Sequence, residues 1–346
     1  MNWWTEAIAP PDGKSEELAR ERQAMLTKPP GSLGVLEDIA TRFAGFQGDV
    51  NPALNHVEVV VFAGDHGVVE AGVSAFPQAV TVEMIRNFSR GGAAISVLAR
   101  NAGAQFSVLN LGTVAEVEEL PAVHNLALAP GTANFTEEPA MSETTVLAAL
   151  SAGADAVPAQ AQLFIGGEMG IGNTTAAAAI SSSLLELPAE VTVGRGTGID
   201  DQALGVKRDC VARAIVLHGL AADDPLQVLR CVGGLEIAGL AGACLGAAQK
   251  GVPVLVDGYI CSAAALVACR LNPGVRDWLL FAHRSAEPGH RHILDALEAE
   301  PLLDFGMRLG EGSGAAVALP LLRSALDLHN EMATFAEAAV SEKVGG

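Results

Sequence analysis

The stretch Gly166-Gly167-Glu168-Met169-Gly170-Ile171-Gly172-Asn173-Thr174-Thr175 carries the clearest chemistry in the chain. A glycine-rich turn between a strand and a helix lets backbone amides approach an anion at the positive helix end. Positions 167–174 have the spacing of a phosphate-cradling P-loop, but Asn173 stands where that loop needs lysine and Glu168 lies inside it. This disfavours a magnesium-bound nucleoside triphosphate. It favours a single phosphate monoester held by the amides of Gly167, Gly170 and Gly172 and by the Thr174 and Thr175 hydroxyls. The alternative is a glycine-rich connection that only lets a helix pack close to a strand.

A second candidate is Arg308-Leu309-Gly310-Glu311-Gly312-Ser313-Gly314, where alternating glycines flank one carboxylate just before a helix. Such a turn leaves Glu311 sterically unshielded, although a surface turn would explain the glycines equally well. Gly194-Arg195-Gly196-Thr197-Gly198 lacks the full dinucleotide fingerprint, and no acidic residue follows a second strand at the expected distance. Lys207, on the next helix, is either solvent-exposed or a phosphate counter-ion. In Asp65-His66-Gly67 the histidine reads as a hydrogen-bonded rim residue and the aspartate as a loop anchor. His283-Arg284-Ser285 offers further donors. His290 and His292, two apart, do not share a helix face and read as surface residues, so no metal is expected.

These residues need a frame. Runs at 57–63, 105–111, 163–165, 252–256 and 278–282 are strand candidates, separated by helical stretches near 79–100, 142–156, 174–185, 201–218 and 225–250. Strands apolar on both faces and alternating with helices predict a Rossmann-like α/β fold, a parallel sheet with helices on both faces. In such a sheet ligands bind beyond the carboxyl ends of the strands. Each candidate strand ends in a polar, glycine-containing segment, Asp257-Gly258-Tyr259 among them, so these exits should converge on one rim. The chain opens with helices instead, one capped by Ser15 and a second over 33–46, and closes with two more over 314–328 and 331–340. The expected organisation is a small helical domain built from 1–50 with 314–346, and a large α/β domain over 51–313.

The composition narrows the partners. Of 346 residues half are hydrophobic, and the formal charge of −19 argues against wrapping a phosphate backbone. With 4% aromatics a base-stacking platform is equally unexpected, so nucleic acid is excluded as a partner. The most apolar stretches fall short of the ~20 residues a bilayer requires, so no membrane association is expected. The N-terminus has no secretory pattern, and five cysteines without a CxxC pair read as buried thiols of a cytoplasmic protein.

Taken together, Lys28-Pro29-Pro30-Gly31-Ser32-Leu33-Gly34, Ala63-Gly64-Asp65-His66-Gly67-Val68, Gly91-Gly92-Ala93-Ala94-Ile95, positions 167–175 and positions 308–314 resemble the nicotinate-nucleotide–dimethylbenzimidazole phosphoribosyltransferase family. Five spaced motifs in one order, from the N-terminal helices to the last ones, are far more specific than any single loop. The resemblance implies transfer of phosphoribose from nicotinate mononucleotide to 5,6-dimethylbenzimidazole, giving α-ribazole 5′-phosphate and nicotinate in assembly of the lower ligand of cobalamin. It also implies a cytoplasmic homodimer that needs no cofactor. By the same matching Glu311 is the general base and Glu168 a second active-site carboxylate. Gly167, Gly170, Gly172, Asn173, Thr174, Thr175, Lys207 and Ser285 fall to the phosphate and ribose. Ser74, Gln78 and Leu309 fall to the benzimidazole pocket. Other readings of the same loops are a phosphorolytic enzyme, which would require free phosphate, and a nucleotide-sensing module without turnover. A nicotinamide-dependent oxidoreductase is disfavoured by the missing fingerprint.

Overall fold

Short aliphatic runs, buried on both faces, set the architecture. A computed structural model of the chain describes residues 2–196 and 198–340; Thr197 of the second glycine run and the last residues of the expected helical domain, 341–346, lie outside these. The strands are β1 (Val57–Gly64), β2 (Gln105–Gly112), β3 (Val123–Asn125), β4 (Leu163–Met169), β5 (Val254–Val256) and β6 (Leu279–Phe281). All pairings are parallel and the sheet order is β3-β2-β1-β4-β5-β6. This is a doubly wound order, and the chain reverses direction across the sheet between β1 and β4, where a crevice opens at the strand ends. The parallel α/β expectation therefore holds. β3 was not among the candidate strands; its three residues sit at the sheet edge and only its first is shielded from solvent, so it carries no apolar run to read.

The helices are α1 (Gly13–Met25), α2 (Val35–Gln47), α3 (Ala79–Ser89), α4 (Ala94–Asn101), α5 (Glu143–Asp155), α6 (Asn173–Leu185), α7 (Ala189–Thr192), α8 (Asp201–His218), α9 (Pro225–Val232), α10 (Leu235–Gln249), α11 (Tyr259–Leu271), α12 (His290–Ala296), α13 (Ser313–Glu331) and α14 (Phe335–Ala338). Two expected single helices are each split in two. Paired glycines, Gly91-Gly92 and Gly233-Gly234, end one helix and aim the next in a new direction. The first helix is capped by Asp12, whose carboxylate accepts from the Ser15 amide and hydroxyl, and not by Ser15 itself. An ionised acceptor outside the first turn serves the free amides better than a hydroxyl already within it.

The Ala- and Gly-rich α10 is buried nearly all round, lying over β1, β4 and β2 with α5 behind it. A Cβ at Gly242 would sit 1.9 Å from the Leu150 carbonyl oxygen, so the close α5–α10 approach depends on small residues. On the far side α13 packs against α2, α4 and β4, joining the two chain ends. All five cysteines are buried and free. Among the described residues no helix is long and apolar enough to cross a membrane.

Candidate active site

Beyond the carboxyl ends of β4, β5 and β6 lies a cavity of about 410 Å³. Three of the expected strand exits converge there and those of β1 and β2 do not: positions 168–174 from the end of β4 onward, 257–261 after β5 and His283, Ser285 and Glu287 after β6 line it. Positions 308–311, Gly196, Ser74 and an apolar wall of Val73, Phe76, Val80 and Met84 complete the lining.

β4 runs two turns of pleat further than its aliphatic residues suggested, so Gly166, Gly167 and Glu168 are strand and not loop. The P-loop-like turn shrinks to positions 170–172, with Gly172 as the left-handed N-cap of α6. The glycines in the strand serve proximity: a Cβ on Gly167 would lie 2.0 Å from the Glu311 carbonyl oxygen. Because β4 stays extended, Glu168 is placed by sheet register, opposite Phe62 of β1.

Glu168 and Glu311 lie side by side. Glu311 donates its N–H to Glu168 Oε1 at 3.4 Å, and Asn173 Nδ2 donates to Glu168 Oε2. Gly310, at φ +88°, has no room for a side chain, since a Cβ would sit 2.1 Å from Glu168 Oε1. Glu311 itself holds a left-handed φ of +66°, a conformation that costs about 1 kcal/mol or more outside glycine and clusters at functional sites. Its carboxylate accepts from Ile95 N–H at 3.3 Å. It is far less exposed than a bare turn would leave it, only 7% accessible.

The electrostatics follow from burial. Desolvation pushes the Glu168 carboxyl well above the usual carboxylate range, and the nearby charges of Glu236 and Asp257 push the same way. Desolvation raises Glu311 as well; the Ile95 amide works against it, and Asp257 adds to it. Asp257 is raised by burial, opposed by His283 and by amides at the start of α13; its Oδ1 accepts from Ala315 N–H at 2.8 Å. A cavity lined by these acids is primed for a cation.

The opposite pole is basic. Lys207 Nζ, fully buried, donates to Thr174 Oγ1 at 2.8 Å and to the Gly194 carbonyl at 3.2 Å. Burial lowers its pKa to about 8, and Glu287 pulls the other way. Glu287 accepts from the Gly196 amide at 3.1 Å, and Arg308 donates to the Gly196 carbonyl at 3.1 Å.

Of the anticipated residues, Glu168, Glu311, Gly170, Gly172, Asn173, Thr174, Ser285, Ser74 and Leu309 line the cavity together. Gly167, Thr175 and Lys207 sit one layer behind, Lys207 touching the lining through Thr174. Gln78 turns away, donating to the His66 carbonyl at 2.8 Å. Asp65 does anchor a loop, accepting from Val114 N–H at 2.9 Å, but His66 is fully buried against Glu236 at 2.7 Å and does not reach the rim. His290 is likewise fully buried, which corrects the surface reading. Its Nδ1 accepts from Ser285 N–H at 2.8 Å, so the proton sits on Nε2 facing Ser262 Oγ at 2.9 Å. Desolvation lowers its pKa to about 3, keeping the ring neutral as a strut beneath Ser285. Sequence reasoning did not single out Asp257, Glu287 or the Phe76–Met84 wall; Asp257 stands in a marked strand exit and Glu287 two positions past another, whereas the wall runs from the β1–α3 connection into α3, beyond the marked Asp65-His66-Gly67.

A family model described as phosphoribosyltransferase matches residues 8–340. A Pseudomonas putida protein named nicotinate-nucleotide–dimethylbenzimidazole phosphoribosyltransferase is 60% identical over 345 residues, covering 99% of this chain and 98% of that one. A Pseudomonas aeruginosa protein of the same name is 59% identical over 347 residues, with 99% of each chain covered. The crystal structure of the enzyme of that name from Thermus thermophilus superposes with a TM-score of 0.89 at 46% identity, covering 96% of this chain and 100% of the other.

Proposed function

The chain belongs to the nicotinate-nucleotide–dimethylbenzimidazole phosphoribosyltransferase family, and on that premise we propose that it moves phosphoribose from nicotinate mononucleotide to 5,6-dimethylbenzimidazole. The products are nicotinate and α-ribazole 5′-phosphate, for the lower ligand of cobalamin. The observation that carries this reading is one cavity with three unlike walls: an amide, hydroxyl and lysine pole, a cluster of carboxylates, and an apolar slot.

The phosphate of the nucleotide fits the α6 N-terminus, Thr174 and Lys207. Its pyridinium, a cation, fits beside the carboxylates that burial has made costly to ionise alone. The flat apolar acceptor fits against Phe76, Val80 and Met84. Nicotinate leaves as a neutral ring nitrogen and needs no acid. The acceptor attacks through its bare nitrogen, and its other N–H becomes acidic as the new C–N bond forms. Glu311 takes that proton, worth typically ~10²–10⁴-fold in rate. Burial raises its pKa and so makes it a stronger base, while the Ile95 amide favours the ionised form. Positive charge spreads onto C1′ in the transition state, where Asp257 faces it, while Glu168 holds the turn that carries Glu311. Attack from the face opposite the departing nicotinate inverts the anomeric carbon from β to α.

The test is direct. Purified protein incubated with both substrates should release nicotinate and α-ribazole 5′-phosphate in equal amounts, resolved by chromatography, without added phosphate. Release that requires inorganic phosphate would mark a phosphorolytic enzyme instead. Sedimentation of the purified chain would report whether it pairs, as the family resemblance implies.

A further inference from the structure

The segment Gly91-Gly92-Ala93-Ala94-Ile95 lies outside the cavity lining, and no step of the reaction uses it. It is where α3 stops and α4 begins. Gly91, at φ +78°, donates its N–H to Phe88 O, and the Gly92 N–H reaches Asn87 O at 3.1 Å. The buried Ser96 hydroxyl donates to the same Phe88 carbonyl at 3.1 Å. Ile95 is fully buried, so the first turn of α4 is pinned. Its free amide meets a single side chain, Glu311, 216 positions away in sequence, at Oε2. The neighbouring Ala94 amide bears on the same carboxylate. Among the described residues no protein donor engages the other oxygen.

We propose that the first turn of α4 is a positioning element for Glu311: its backbone amides fix one carboxylate oxygen and leave the other for the acceptor's proton, a role that presupposes Glu311 as the general base. Aligned amides at a helix N-terminus favour a negative charge. Here they oppose every other influence on the group. Asp257, beyond β5, faces Glu311 with like charge and burial adds to it, while Glu168, on β4, accepts from the Glu311 backbone N–H. The first turn of α13 carries no charged side chain, and Arg100, the sole charge on α4, turns back to the Gly91 carbonyl at 3.5 Å.

Two changes delete an amide and spare the cavity. The α-hydroxy acid of isoleucine at position 95 replaces N–H by an ester oxygen and keeps the buried side chain. Ala94→Pro removes the adjacent N–H; proline suits the first helical position, and Ala93 before it is already extended at φ −81°, ψ 160°. Glu311 is followed by carbon-13 NMR of labelled carboxyls, its signal assigned by its loss in Glu311→Gln. Its titration midpoint should rise by roughly one unit in the ester protein, and less in Ala94→Pro. The acidic limb of kcat should move with it, a tenfold loss below that limb, while KM for nicotinate mononucleotide stays put. A midpoint unmoved in both proteins, with Glu311→Gln inactive, overturns the role of α4 alone. Wild-type turnover in Glu311→Gln overturns the base on which that role depends, whatever the midpoints do.

Discussion

Two segments bring the carboxylates together, and they are built differently. Along β4 and the start of α6 the polar groups other than the Thr175 hydroxyl already have protein partners: both oxygens of Glu168 accept hydrogen bonds, and Thr174 is tied to Lys207. The 308–313 turn instead strains its backbone to present one carboxylate with a single oxygen engaged. A wall whose groups are paired in advance can bind without rearranging. A group left half-free can change its protonation during the reaction. The contrast therefore separates binding, on the β4 side, from proton transfer, on the turn.

Glu311→Gln should produce the largest effect. It keeps the shape and the contact with Ile95 but removes the base, so kcat should fall roughly 10²–10⁴-fold with KM for the nucleotide nearly unchanged. Steady-state kinetics with saturating acceptor decides this; a change confined to KM would erase the contrast between the two segments. Glu168 should behave less like a base and more like a strut. Glu168→Ala strands the Glu311 amide and Asn173, lowering kcat roughly ten- to a hundredfold. Glu168→Gln, able to pair with a flipped Asn173 amide, should recover much of that loss. Equal damage from both would make the charge of Glu168 its main contribution, through the transition state it faces.

The contrast was only half legible in the sequence. Glu168 and Glu311 stood out because glycines flank them, and glycine beside a carboxylate leaves a local trace. The parallel sheet was legible because buried strands read as aliphatic runs. The end of β4 was not: Gly166 and Gly167 look like loop residues, and only the approach of the Leu240 side chain to the first and of the Glu311 backbone to the second explains why a strand uses them. His290 was misjudged because its partners, Ser262 and the Ser285 amide, come from separate elements. Asp257 gives no signal of its own, because its importance lies in meeting α13, which begins more than fifty positions later. Pairings across the fold have no counterpart in local spacing.

Lys207 sharpens the binding side. Lys207→Met should raise KM for nicotinate mononucleotide roughly ten- to a hundredfold, with little change in kcat. The pH dependence follows from its pKa of about 8. A phosphate is attracted by the charged ammonium, so nucleotide affinity should decline as pH rises through about 8, by up to tenfold per unit. In Lys207→Met that decline should be absent. Stability moves the other way. The unfolded lysine holds its proton to about 10.4, so between these values the unfolded chain binds more protons and the fold gains stability as pH rises. Affinity and thermal midpoint followed together from pH 7 to 10 would test both signs; parallel movement would place the titration on another group.

The smallest effect tests whether Lys207 and Thr174 act as one unit. Thr174→Val keeps the volume of the side chain but removes the oxygen that accepts from Lys207 Nζ, leaving the ammonium only the Gly194 carbonyl. The direct loss is one hydroxyl contact to phosphate, a few-fold rise in KM. A second consequence is indirect: an ammonium with one acceptor fewer is harder to keep charged, so the pH at which affinity declines should fall below its wild-type value. If the hydroxyl acts through the lysine, Thr174→Val added to Lys207→Met should cost little more than Lys207→Met alone. Additive losses in that double mutant would show two independent phosphate contacts. The β4 side would then be a set of separate donors and not the single pre-tied wall that distinguishes it from the turn bearing Glu311.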